Sequence, residues 1–164
     1  MPCPVRFSCS WGEGTVDLIR LADGESSLEV RVLGRSMPGV LEWHDFLDAE
    51  IVVASGFAQG RLEVCLAPDD LNSWSQVLGA LAAGRDAVWM DDGRNPEIQF
   101  ELSGQDGVAV VVVKDVAGSG ASIRVPVRLA DGWVDDQHER LQGVWATWPQ
   151  EVVETSSGVY EWRR

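Results

Sequence analysis

DAEIVVASGFAQGRLEVCLAPDDLNSWSQVLGALAAG, residues Asp48–Gly84, is the stretch whose reading decides the fold. Asp48 to Ala54 is β-branched and apolar, as a strand requires. Ser55 to Gly60 breaks it with two glycines, Gly56 and Gly60, in the manner of a turn. Arg61-Leu62-Glu63-Val64-Cys65-Leu66 then alternates. Leu62, Val64 and Leu66 share one face, and Arg61, Glu63 and Cys65 share the other. One face belongs on a core and one in water.

Pro68-Asp69-Asp70 opens a helix. Proline has no N–H to leave unpaired, and acids suit the positive end of the helix dipole. Leu71, Trp74, Leu78 and Leu81 recur at helical spacing, and Gly84 stands where a left-handed cap residue belongs. The spacing predicts a helix over about 69–83. Burying its stripe stabilises by roughly 1.5–3 kcal/mol per side chain, provided a surface receives it. The adjacent hairpin is the expected surface.

Working outward, Val16 to Ala22 alternates and Asp23-Gly24-Glu25 turns the chain. Leu28, Val30 and Val32 mark the second strand, and Gly34 to Trp43 a loop. Downstream of the helix, Asp86 to Trp89 is a short strand. Ile98, Phe100 and Leu102 mark another. Val108 to Val113 is nearly all valine, which suits a central strand buried on both faces. Ile123, Val125 and Val127 form the next, with Pro126 assigning it to an edge. Val134, Leu141, Trp145 and Trp148 then define a second helix over 131–148, stopped by Pro149.

The expected fold class is therefore α+β: a curved, mostly antiparallel sheet of about seven or eight strands packed by two helices. The expected organisation is a loose leader at 1–15, a single domain at 16–149, and a tail at 150–164, docked through Tyr160 and Trp162. Arg20-Leu21-Ala22-Asp23-Gly24 recurs as Arg128-Leu129-Ala130-Asp131-Gly132. The first copy closes the first strand of its half and the second closes a fourth strand, so the pair reads as two similar strand exits rather than a duplication.

Composition narrows the function. The chain of 164 residues carries 26 acids against 13 Lys plus Arg, a net charge of −13. Phosphate backbones and anionic membranes are repelled by such a chain, and a basic protein partner is attracted. No apolar run is long enough to span a bilayer, and no signal peptide is visible. Cys3, Cys9 and Cys65 are an odd set with no C-x-x-C pair, a poor framework for disulfides or metal. Cytoplasmic residence follows as the expectation, with no cofactor and no metal. Of the eight Trp, the spacing puts Trp74, Trp89, Trp145 and Trp148 in the core.

Catalytic constellations are not apparent. Asp91 and Asp92 are adjacent and point apart. No Gly-x-Ser-x-Gly elbow accompanies His44 or His138, and Gly118-Ser119-Gly120 leads into a strand rather than a helix. Two surfaces remain as candidates. One is the Pro-Gly-bounded loop Met37 to Phe46, where Trp43, His44 and Phe46 are held by no period. The other is the acidic start of the last helix: Asp131, Asp135, Asp136 and Glu139.

The order strand, turn, Asp48-Ala49-Glu50, hairpin, Pro68-Asp69-Asp70-Leu71 helix, Pro96-Glu97-Ile98-Gln99-Phe100-Glu101-Leu102 strand, and last helix closing on Trp148-Pro149 resembles a family of uncharacterised bacterial proteins. Their domain has no known function. A more distant likeness is to the immunity proteins paired with wall-associated polymorphic toxins, although Asn95-Pro96-Glu97 replaces their Glu-Pro order. The resemblance implies a non-catalytic protein that occupies a partner, and it carries over no site residue. Three readings follow. The first is an acidic binding protein for a basic partner. The second is a small-molecule-binding or enzymatic domain with its pocket near Trp43 and His44. The third is a homodimeric structural protein joined through a sheet edge.

Overall fold

The computed structural model describes residues 14–102 and 105–164. The expected leader, with Cys3 and Cys9, falls almost wholly outside them. Among the described residues, ten strands form three antiparallel sheets. The first sheet is a meander of β1 (Val16–Ala22), β2 (Ser26–Arg35), β3 (Leu47–Ser55) and β4 (Gln59–Leu66). Helix α1 (Pro68–Ala82) follows. The second sheet is another meander of β5 (Ala87–Trp89), β6 (Glu97–Glu101), β7 (Val108–Lys114) and β8 (Ser122–Arg128), followed by α2 (Trp133–Thr147). A two-stranded hairpin, β9 (Val152–Ser156) and β10 (Val159–Trp162), ends the chain.

The α+β class and two helices are therefore present, but the single curved sheet is not. Alternation reports which face of a strand is buried and says nothing about its neighbours. Among the strands of the described residues β4 is bonded to β3, and α1 carries the chain away from it to the second sheet. The packing partner of α1 also differs from expectation. It lies chiefly against β5 and α2, with less contact to the hairpin it follows, while α2 lies against β1. β8 rests on β1, β2 and β3, closing the two sheets on one core.

Local chemistry explains the helix ends. The Asp70 carboxylate reaches back to accept the Ala67 N–H at 2.8 Å, as the third residue of an N-terminal cap does. At the other end Gly84 takes φ 71°. The Gly84 N–H then meets Leu81 O at 3.0 Å and the Arg85 N–H meets Ala80 O at 3.1 Å, both bonds of a Schellman motif. α2 uses a polar side chain to close a sheet edge. Gln137, 1% exposed, accepts the Arg20 N–H at 2.9 Å and donates to Arg20 O at 3.1 Å. Its amide thus stands in for a fifth strand beside β1.

The two copies of the Arg-Leu-Ala-Asp-Gly motif meet in space. Asp23 accepts the Arg128 N–H at 2.7 Å, and both copies line a cavity of about 270 Å³ beside the start of α2. The N–H groups of Arg128, then Ser26 and Glu25, hold the Asp23 carboxyl below its ordinary range. Cys65 is disulfide-bonded, which corrects the expectation drawn from the cysteine count.

Trp74 and Trp89 are fully buried, whereas Trp145 and Trp148 are only half-buried. Trp74 sits 5.2 Å from Trp89 and 5.5 Å from Phe100, ring centre to ring centre. The Trp89 indole donates to Asp70 O at 2.9 Å, but the Trp74 Nε1 has no acceptor among the described residues. Trp89→Phe should therefore destabilise more than Trp74→Phe, by about 1 kcal/mol in urea melts, because only the first removes a buried hydrogen bond, while Asp70 O keeps the Ser73 hydroxyl at 2.9 Å. Equal losses would contradict this.

Burial pushes the Asp70 carboxyl above its ordinary 3.8, against the Ala67 N–H and Arg94. A raised native value means the native state binds more protons there. Its contribution to stability is then present at low pH and lost as pH rises above 3.8 through the native value. The unfolding free energy of Asp70→Asn minus that of the parent should climb across that window. A flat difference would contradict it.

Candidate functional site

The loop between β2 and β3 and the terminal hairpin form one clasp. β2 runs two residues further than the sequence suggests and delivers Arg35, whose side chain is 12% exposed. Its Nη1 donates to His44 O at 3.0 Å and to Asp45 Oδ1 at 2.7 Å. Its Nη2 donates to Pro149 O at 2.7 Å and to Glu151 Oε2 at 3.0 Å. One planar guanidinium therefore ties the loop to the exit of α2, as its fork of donors permits. Asp45, 7% exposed at its side chain, accepts the N–H groups of Glu151 at 3.0 Å and Val152 at 2.8 Å.

His44 completes the clasp. The Gly39 N–H donates to Nδ1 at 2.8 Å, so the ring proton sits on Nε2. Nε2 faces Glu151 Oε2 at 2.5 Å and donates to it. Trp162 meets the same ring edge-on, with centroids 4.7 Å apart. Trp43 and Phe46 stack on each other at 4.8 Å and are half-buried.

His44, Asp45 and Glu151 have donor atoms within 4.8 Å of one another, a spacing that suits a metal ion. Arg35, however, is bonded to both carboxylates, and the His44 proton points at one of them, Glu151. A cation at that point would meet a fixed positive charge and would have to break three charge-assisted bonds. The arrangement is a fastening built from the side chains themselves.

Of the sequence-derived candidates, the structure brings Trp43, His44 and Phe46 together at the clasp. It does not bring Asp131, Asp135, Asp136 and Glu139 to them. Those four are exposed at the far end of α2, whose 15 residues span roughly 22 Å. Asp131 lies outside the helix, before the Gly132 cap, and Asp135 and Asp136 occupy its first turn, where the dipole favours acids. Asp136 also accepts Arg140 Nε at 2.9 Å. Two larger cavities, of about 380 Å³ beside β4 and 270 Å³ beside α2, include neither Trp43 nor His44. The sequence reading missed Arg35 and Glu151. No local pattern links residues more than a hundred positions apart, as His44 and Glu151 are.

A family model matches residues 16–149, most of the chain. The chain belongs to DUF5959, a family of unknown function. No curated protein and no solved structure matches it. The hairpin that the clasp holds lies beyond the matched residues, while Arg35, His44 and Asp45 lie within them.

Arg35→Met keeps the stem and removes the fork. It should raise the exchange rate of the Glu151 and Val152 amides by an opening energy on the order of 2 kcal/mol, discounted for the exposure of Glu151. Amides of β3 and β7 should stay protected. Loss of protection throughout would mean that the clasp supports the whole fold.

Proposed function

We propose that this DUF5959 member is a non-catalytic binding protein that occupies a basic protein partner through the surface carried by the clasp. The observation behind this reading is an aromatic patch with an acidic rim on a stiff support. Tyr160 and Trp162 share one face of β10, turned toward the loop, and Trp162 is still 47% exposed. Burial first, and then the carboxylates of Glu154 and Glu42, push the Tyr160 hydroxyl above its ordinary value. Glu154 stands opposite Tyr160 across the hairpin, and the half-exposed Glu151 lies at His44 beside Trp162. Exposed aromatic rings anchor interfaces, and a rim of one sign selects a partner of the other. An arginine or lysine laid on Trp162 would gain from the ring and from the carboxylates together.

The acids at the start of α2 are a second negative surface, and they steer the same partner from a distance. The likeness to immunity proteins gives this reading its most specific form, in which the partner is a toxin domain. Clasp and patch need no reacting group, which favours occupation over chemistry.

The test is capture from the native host at low salt, identification by mass spectrometry, and titration of the recovered partner. Affinity should fall at least about tenfold between roughly 50 and 500 mM salt. Trp162→Ala, or Glu42→Gln with Glu154→Gln, should weaken binding by a similar factor. An acidic partner, or binding indifferent to both salt and these variants, would overturn the proposal.

A further inference from the structure

A second apolar feature lies outside the clasp. Phe57, at the tip of the β3–β4 hairpin, is 99% exposed. The tip is held stiff. Ser55 Oγ accepts the N–H groups of Phe57 at 3.2 Å and Ala58 at 3.1 Å, and the Ser55 N–H meets Ala58 O at 2.8 Å. A whole phenyl ring is thus presented to water on a hydrogen-bonded turn.

Beside that hairpin is an apolar cleft of about 90 Å³, room for one aromatic ring. Val53 and Leu62 form one wall, and Val113 and Ile123 form the other. Gly60 keeps the walls close: a Cβ there would stand 2.6 Å from Ile123 Cδ1. Ala121, exposed, stands at the rim, and Asp115 braces that rim by accepting the Ser119 N–H at 2.7 Å and hydroxyl at 2.8 Å. Val116, 44% exposed in the same turn, extends the apolar surface. The Phe57 ring cannot be filling this cleft, because its own surface is free.

We propose that the occupant of the cleft is Phe57 of a second copy of this chain, each copy inserting its ring into the other. Knob and hole lie on one end of one molecule, which is the self-complementary pattern a two-fold interface requires. The interface is small and the dimer correspondingly weak and transient. Each copy carries −13, so salt that screens the repulsion strengthens the dimer. That is the opposite of the salt response expected for the basic partner, so the two proposals fail separately.

Sedimentation velocity over a concentration series reads the outcome. The parent chain should shift from monomer toward dimer as concentration rises, and further at high salt. Phe57→Ser and Ala121→Trp, both at exposed positions, should each weaken association at least about tenfold, with unchanged circular dichroism. Mixing the two variants should restore part of it, since one intact ring meets one intact cleft. A parent chain that stays monomeric at every concentration and salt overturns the proposal, as does a Phe57→Ser chain that associates like the parent.

Discussion

The helix that follows each four-stranded sheet packs against the opening strand of the other sheet, α1 against β5 and α2 against β1. Everything else in the molecule depends on that exchange. A four-stranded meander has one apolar face that must be buried against another element, and a single amphipathic helix covers only part of it. By crossing over, each helix closes the edge of the sheet it did not follow. Gln137 shows how tightly this is done, since its amide bonds both backbone groups of Arg20 on β1. The aromatic cluster of Trp74, Trp89 and Phe100 sits on the other crossing, with Trp74 from α1 and the remaining two from the second sheet.

This exchange consumes the apolar interior and leaves the periphery to interact. The peripheral features are of two chemical kinds. The clasp is polar: Arg35, His44 and Asp45 gather charge at the end of the first sheet and fasten the terminal hairpin through Glu151. The hairpin tips are apolar, with Phe57 on one and Val116 on another. The polar clasp has a further consequence. The hairpin carries Tyr160 and Trp162, so these aromatic groups come from a segment beyond the family match, while Arg35, His44 and Asp45, which hold it, come from within.

The individual elements were largely legible in the sequence. Val16–Ala22 was readable to the residue, and the Pro68 and Gly84 signals bracketed α1 because capping is local chemistry. Long-range assembly was not legible. The alternation of Leu62, Val64 and Leu66 says that β4 has a wet face and a dry one, but not which strand lies beside it. Gln137 is polar and falls outside the apolar stripe of Val134, Leu141, Trp145 and Trp148, yet it is buried at a sheet edge. Trp145 and Trp148 kept helical spacing but lie where α2 leaves the core, so they are only partly covered. His44 stood out by rarity. Its partners Arg35 and Glu151 did not, because isolated charges in a chain with 26 acids give no signal until the fold brings them together.

Native-state hydrogen exchange tests the interlocked fold most directly. If each sheet depends on the helix of the other, the slowest amides of β3, such as Ile51, and of β7, such as Val111, open with the same free energy. Leu78→Ala, a cavity in α1, then lowers both values equally. Opening of β7 at a distinctly lower free energy while β3 stays protected, or a response confined to one sheet, would contradict the account.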